Sequence, residues 1–378
     1  MALLSYLTIT HFDNGAIRNL QKVLKQNGIS RPLIATDQGL KAAGIVDRLT
    51  EALDDPSTAP IYADTPPNPT EAAVRDALKI YQDEGCDGVI GLGGGSSMDL
   101  GKAVALLAVS GGELDNYDPL KGGNKNFKGM APLIAVPTTS GTGSEVSLGF
   151  VIIMDDGRKA TYGNPNFVPK AAICDPELTY GLPPILTAAT GMDAITHCIE
   201  AILSPMVNPP CEGVGLDGLW RGWAHVERAT KDGQDAEARW QMMMASTEGA
   251  MAFVKGLGSV HTMAHAAGRI PGLNLHHGTL NAVILPHLLR HNADAPDMDV
   301  RYARLRQAMD LAPGADIAAA VEDMNQRLGL PANLGEMGVT ADMIPDLVHH
   351  AAADLNGRTN PKPVTPEEYA DLFKLAIG

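Results

Sequence analysis

The sequence predicts an α/β domain with a mainly parallel sheet over residues 1–183, followed by an all-α domain over residues 184–378. Three observations predict it. Short apolar runs alternate with amphipathic stretches through the first half, the pattern of βαβ units. From about Leu186 the texture changes to long Ala-, Met- and Leu-rich segments at helical spacing with few β-branched runs. Between the two lies Leu182-Pro183-Pro184, where consecutive prolines stop both helices and strands. In order, Pro32 to Thr36, Ile61 to Ala63, Gly88 to Leu92 and Leu133 to Val136 are expected as buried strands. Ala16 to Asn27, Pro69 to Glu84 and Met98 to Ser110 are expected as helices among them. Beyond the border, Ala188 to Leu203, Ala236 to Leu257, Val260 to Ala267 and Ile317 to Leu328 are expected as helices of the second domain.

The 378 residues suffice for two domains of roughly 100–200 residues each. With 29 basic against 44 acidic side chains, the net charge of -15 repels phosphate backbones and anionic lipid alike. No Lys/Arg run offsets it, so neither nucleic acid nor a membrane is an expected partner. The chain has no basic leader followed by a long apolar stretch and no run of eighteen apolar residues. Cys86, Cys174, Cys198 and Cys211 lack CxxC spacing, which fits free thiols in a reducing compartment and gives the cytoplasm as the expected location.

Chemistry enters at two glycine-rich segments. Gly91-Leu-Gly-Gly-Gly-Ser-Ser-Met-Asp-Leu-Gly-Lys102 follows an apolar run and opens an Ala/Leu-rich helix. Glycines let a backbone approach a diphosphate, and a helix N-terminus offers unpaired N–H groups. Ser96 stands where the last glycine of G-x-G-x-x-G would be, and a tight turn without a ligand explains this segment alone equally well. Pro137-Thr-Thr-Ser-Gly-Thr-Gly-Ser-Glu145 follows the next strand with four hydroxyls and two glycines. Both segments sit at strand carboxyl ends, where open α/β sheets bind nucleotides. Asp37, at the tip of the PLIATD run, can accept from ribose hydroxyls and repel a 2'-phosphate, favouring NAD; it can equally cap a helix over Gln38 to Ala43.

The second domain carries a metal pattern. Asp193 and His197 are spaced i, i+4, which on a helix sets both side chains on one face about 5–6 Å apart. His261 and His265 repeat the spacing, and His276-His277-Gly278 adds two imidazoles. Oxygen and imidazole ligands without thiolate suit a divalent Fe, Zn, Mn, Co or Ni ion. His225, His287, His291, His349 and His350 are assigned no such role.

With these motifs in order, joined by Asp175 to Thr179 (DPELT), GMDAITHCIEA, GLGSVHTMAH, HHGTLNAVILPH and Asn360 to Pro363 (NPKP), the chain resembles the iron-containing (group III) alcohol dehydrogenase family over nearly its whole length. Within that family it looks most like 4-hydroxybutyrate dehydrogenases. The resemblance implies a nucleotide-binding domain over 1–183 and a metal and substrate domain over 184–378. It implies hydride transfer between a primary alcohol and NAD, with Fe(II) or alternatively Zn as the ion. Asp193, His197, His261 and His277 would be the ligands, with His276 the alternative to His277, and His265 the catalytic imidazole. Gly94, Gly95, Ser96 and Asp99 would hold the pyrophosphate, Thr138, Thr139, Thr142 and Leu178 the adenosine, with Ser144 and Lys159 nearer the nicotinamide. A short hydroxy acid needs a cation for its carboxylate, and Lys255 and Arg269 sit beside the metal motifs. The alternatives within the family are a general short-chain alcohol or diol dehydrogenase and a maleylacetate reductase; outside it, a dehydroquinate-synthase-like lyase or a non-catalytic nucleotide binder. A homodimer or larger homo-oligomer is expected.

Overall fold

The computed structural model describes residues 8–270 and 272–378. Its first strands are β1 (Ile9–Phe12), β2 (Pro32–Ala35), β3 (Ile61–Tyr62), β4 (Gly88–Gly93) and β5 (Leu133–Pro137), with β6 (Gly149–Ile153), β7 (Lys159–Gly163) and β8 (Ala171–Cys174) following. Six of them form one sheet in the order β1-β8-β5-β4-β2-β3, every neighbour parallel. β2, β4, β5 and β8 are buried on both faces, which is why Pro-Leu-Ile-Ala and Leu-Ile-Ala-Val-Pro are unbroken apolar runs. The chain runs outward from β2 to β3, returns to β4, then leaves in the opposite direction to β5. The order therefore reverses between β2 and β4, and in an open α/β sheet the crevice at that reversal is where ligands bind.

β6 and β7 form a separate antiparallel pair, with Phe150, Ile152, Ala160 and Tyr162 turned inward and Phe150 stacked on Tyr162 at 4.8 Å. The chain divides into two compact units. One runs up to Thr139 and takes in Gly143–Gly181; the other joins Ser140–Thr142 to Leu182–Gly378.

The second unit is helical. Its centre is the Pro184–Leu203 helix, buried from Thr187 to Leu203, with the Pro209–Lys231, Ala236–Ala252 and His277–Asn292 helices packed around it. Met192, Ile195, Ile199 and Ile202 are fully buried in its core. The expected Ala236 to Leu257 helix ends earlier, at Ala252, and passes through a 3-10 turn to Gly256, whose φ of 117° is open only to glycine at low cost. Among the described residues no helix is long and apolar enough to cross a membrane.

Candidate active site

Asp193 and His197 project from one face of the Pro184–Leu203 helix, His261 and His265 from the Ser259–Ala267 helix, and His277 opens the His277–Asn292 helix. The Nε2 atoms of His197, His261 and His277 lie 3.8, 3.8 and 3.7 Å from Asp193 Oδ1. The edge of a tetrahedron of 2.0–2.2 Å ligand bonds is about 3.3–3.6 Å. Ligand atoms of Asp193, His197 and His261 all lie within 4.8 Å of one another, so these three residues suit a divalent ion in donor type and are grouped closely enough to share one, with His277 beside them. The His276 side chain is exposed, whereas His277 is turned into the set. Gly278 explains why this sequence can bring the ligands together: a Cβ there would stand 2.2 Å from Ala189 O, so only glycine lets the His277 helix reach the Asp193 helix.

The imidazoles are oriented by carboxylates and kept apart in charge. His261 Nδ1 bonds Glu200, whose other oxygen accepts from Val260 N at 2.8 Å. With Nδ1–H donated to Glu200, the Nε2 lone pair faces Asp193, the tautomer that a metal ligand needs. Gly258 leaves the space for Glu200, since a Cβ would come within 2.8 Å of its Oε1. Burial pushes His197 down to about 4, which keeps that ring neutral. Burial also disfavours charge on His261, but the Glu200 carboxylate beside it, with Asp193, lifts its pKa above the ordinary value. His265 Nδ1 pairs with Asp354 Oδ2 at 2.8 Å, and its ring stacks on that of His277 at 5.3 Å. Glu200 and Asp354 escape sequence reading, since the histidines they hold lie 61 and 89 residues away in the chain; their roles come from the fold.

The two cations separate. Lys255 is a correction: it is 3% exposed, ion-paired with Glu212 at 3.0 Å, and donates to the carbonyls of Ala201 and Ser204 at 3.0 and 2.7 Å. Its ammonium closes the last turn of the Pro184–Leu203 helix and cannot also hold a substrate carboxylate. Arg269 follows the end of the Ser259–Ala267 helix and pairs loosely with Asp346 at 3.6 Å.

At the sheet reversal, β4 ends in Gly93 and Gly94 and feeds the Gly95–Ser110 helix, whose N-terminus no side chain caps. Its first N–H groups are therefore open to a phosphate. Thr139 lies against Gly94, Thr138 N donates to Gly93 O at 3.0 Å, and Ser96 Oγ donates to Pro67 O. Asp37, at the end of β2, caps the Gln38–Ala42 helix through Leu40 N at 3.0 Å.

Asp99 accepts from Ser144 Oγ at 2.7 Å and Val151 N at 2.9 Å, tying the hydroxyl loop and β6 to the helix. Leu178 is 2% exposed and packs in one core cluster with Ile34, Ile90 and Ile134. Thr142 falls with the helical unit, where neighbouring Gly141 abuts Thr190. Lys159, on β7, reaches Asn68 Oδ1 at 3.3 Å, which adds Asn68 to the polar groups of this unit.

Residues 8–176 match the iron-containing alcohol dehydrogenase family, and residues 187–377 match the C-terminal region of the same family. The chain is 54% identical over 383 residues to 4-hydroxybutyrate dehydrogenase of Cupriavidus necator, covering all of both chains. It is similar to the solved structure of 1,3-propanediol oxidoreductase, with a TM-score of 0.92 at 30% identity over 99% of this chain and 100% of that one. It is also similar to sulfoacetaldehyde reductase from Bifidobacterium kashiwanohense in complex with NAD+, with a TM-score of 0.88 at 27% identity over 100% and 99%.

Proposed function

Because the chain belongs to the iron-containing alcohol dehydrogenase family, an oxidoreductase family, we propose that it interconverts 4-hydroxybutyrate and its semialdehyde with NAD and iron as cofactors. In this reading Asp193, His197, His261 and His277 hold the ion, as their donor types and spacing support. The α/β domain expected over 1–183 takes the nucleotide at the uncapped Gly94-Gly95-Ser96 turn, with Thr138, Thr139, Thr142, Ser144 and Lys159 as further contacts. The helical unit, over 184–378, takes metal and substrate. Asp37 combines two tasks, capping its helix and opposing a 2'-phosphate at the sheet reversal.

When bound, the ion supplies Lewis acidity toward the alcohol or aldehyde oxygen and the nicotinamide supplies hydride exchange. The chain's own residues manage position and protons. Glu200 fixes the His261 ring. His265 donates Nδ1–H to Asp354, which leaves Nε2 as the basic nitrogen able to take the proton that leaves the hydroxyl and pass it to water. A homodimer or larger assembly in the cytoplasm completes the reading. It is supported by the edge strand β1, with Ile9 71% exposed, and by four free cysteines.

The identity over the full chain carries the substrate assignment, and Arg269 supplies the chemistry it needs: a guanidinium just past the end of the Ser259–Ala267 helix that can grip a carboxylate bidentately. Steady-state kinetics test it. 4-Hydroxybutyrate should exceed butanol in kcat/KM, and Arg269→Gln should remove about tenfold or more of that advantage while sparing butanol. Equal kcat/KM for the two alcohols in the wild type would make the protein a general short-chain alcohol or diol dehydrogenase.

A further inference from the structure

Asn281 lies one turn after His277 on the same helix and is fully buried. Its Nδ2 stands 2.7 Å from Asp193 Oδ1, 3.2 Å from His261 Nε2 and 3.1 Å from His277 Nε2. The amide is thus aimed at three of the four atoms read as metal ligands. Its Oδ1, by contrast, is buried and meets no hydrogen-bond donor among the described residues.

An amide NH2 has two hydrogens and cannot satisfy three acceptors at once, and its positive end opposes a cation held by the same atoms. An Asn side chain turned end for end keeps its shape and exchanges the two atoms. Oδ1 would then stand where Nδ2 does, 2.7–3.2 Å from the three donor atoms. Neighbouring ligands at right angles around one ion, with bonds near 2.1 Å, are separated by about 3.0 Å. The turned amide therefore offers a hard oxygen at ligand spacing, and the NH2 leaves the position where it would meet the cation's charge.

We infer that Asn281 is a fifth member of the metal centre, whose amide presents its NH2 to Asp193, His261 and His277 without the ion and its carbonyl oxygen to the ion when it is bound. The inference rests on the reading of Asp193, His197, His261 and His277 as ligands. It makes Asn281 a determinant of metal affinity and coordination number rather than a packing residue.

Cobalt(II) binding to the full-length protein tests it, by equilibrium dialysis with chelator competition, by visible absorption and by thermal unfolding with and without the metal. Asn281→Ala should weaken cobalt binding about tenfold or more and give stronger d–d absorption, as one ligand is lost and the site becomes closer to tetrahedral. Asn281→Asp should melt lower than wild type without metal, because two carboxylates then face each other. It should also gain more in Tm on adding metal than wild type does. If the alanine variant does not fold, the aspartate variant alone decides, through that larger metal-induced gain. A cobalt spectrum unchanged by Asn281→Ala, or an Asn281→Asp loss of Tm equal with and without metal, would overturn the inference. A wild type that binds no cobalt would instead overturn the ligand reading beneath it.

Discussion

In the proposed reaction the His265–Asp354 pair would supply an oriented imidazole beside His277. Burial works against the Asp354 carboxylate, but the His265 ring and the Asn356 N–H hold its pKa below the ordinary value, so it stays charged through the neutral range. A charged acceptor on Nδ1 fixes both the tautomer and the direction of the ring. Asp354→Asn should therefore lower kcat/KM about tenfold to a hundredfold while leaving metal content unchanged, a combination that steady-state kinetics and elemental analysis check together. Asp193, His197, His261 and the histidines at 265, 276 and 277 stand out in the sequence because helical spacing and clustering are local signals, which do not say which of them meet. Asp354 and Glu200 do not stand out, since each meets its histidine across more than sixty residues of chain, and a lone carboxylate in sequence has many ordinary uses. Lys255 misleads for the same reason: proximity in sequence to a motif says nothing of which carbonyls and carboxylate have already claimed the charge.

At the scale of elements, the buried strands β2, β4 and β5 announce themselves as apolar runs, whereas β1 and β8 do not. Ile-Thr-His-Phe is a mixed edge segment and Ala-Ala-Ile-Cys is short and poor in β-branched residues, so their pairing is decided by the sheet rather than by propensity. β6 is hidden because its inward Phe150 and Ile152 and its partly exposed Val151 and Ile153 are all apolar, which blurs the alternation. Between the helices Pro209–Lys231 and Ala236–Ala252 a titrating contact sets a pH dependence. Burial, then the neighbouring Asp217, pushes Glu248 up to about 8 against the opposing pull of Arg221. Its ordinary value is 4.5, so from there to about 8 the folded protein binds more protons than the unfolded chain, and stability falls as pH rises through that window. Thermal unfolding from pH 6 to pH 9 should show Tm declining with pH in the wild type. Glu248→Gln should flatten the slope; an identical slope would place the dependence elsewhere.

In the proposed reading the molecule's two tasks fall to different parts of one chain. The α/β unit supplies an uncapped helix N-terminus at a sheet reversal, a device for phosphates made of backbone. The helical unit supplies a constellation made of side chains from three helices, each carried on a buried face. The change of texture near Leu182 falls where the long segment of the helical unit begins. The same division predicts that the two capacities can be separated by substitution. The most direct measurement pairs elemental analysis with fluorescence titration of NADH on His197→Ala and His261→Ala. Both variants should lose bound divalent metal and alcohol oxidation while binding NADH as the wild type does. Full metal content in both variants would contradict the account.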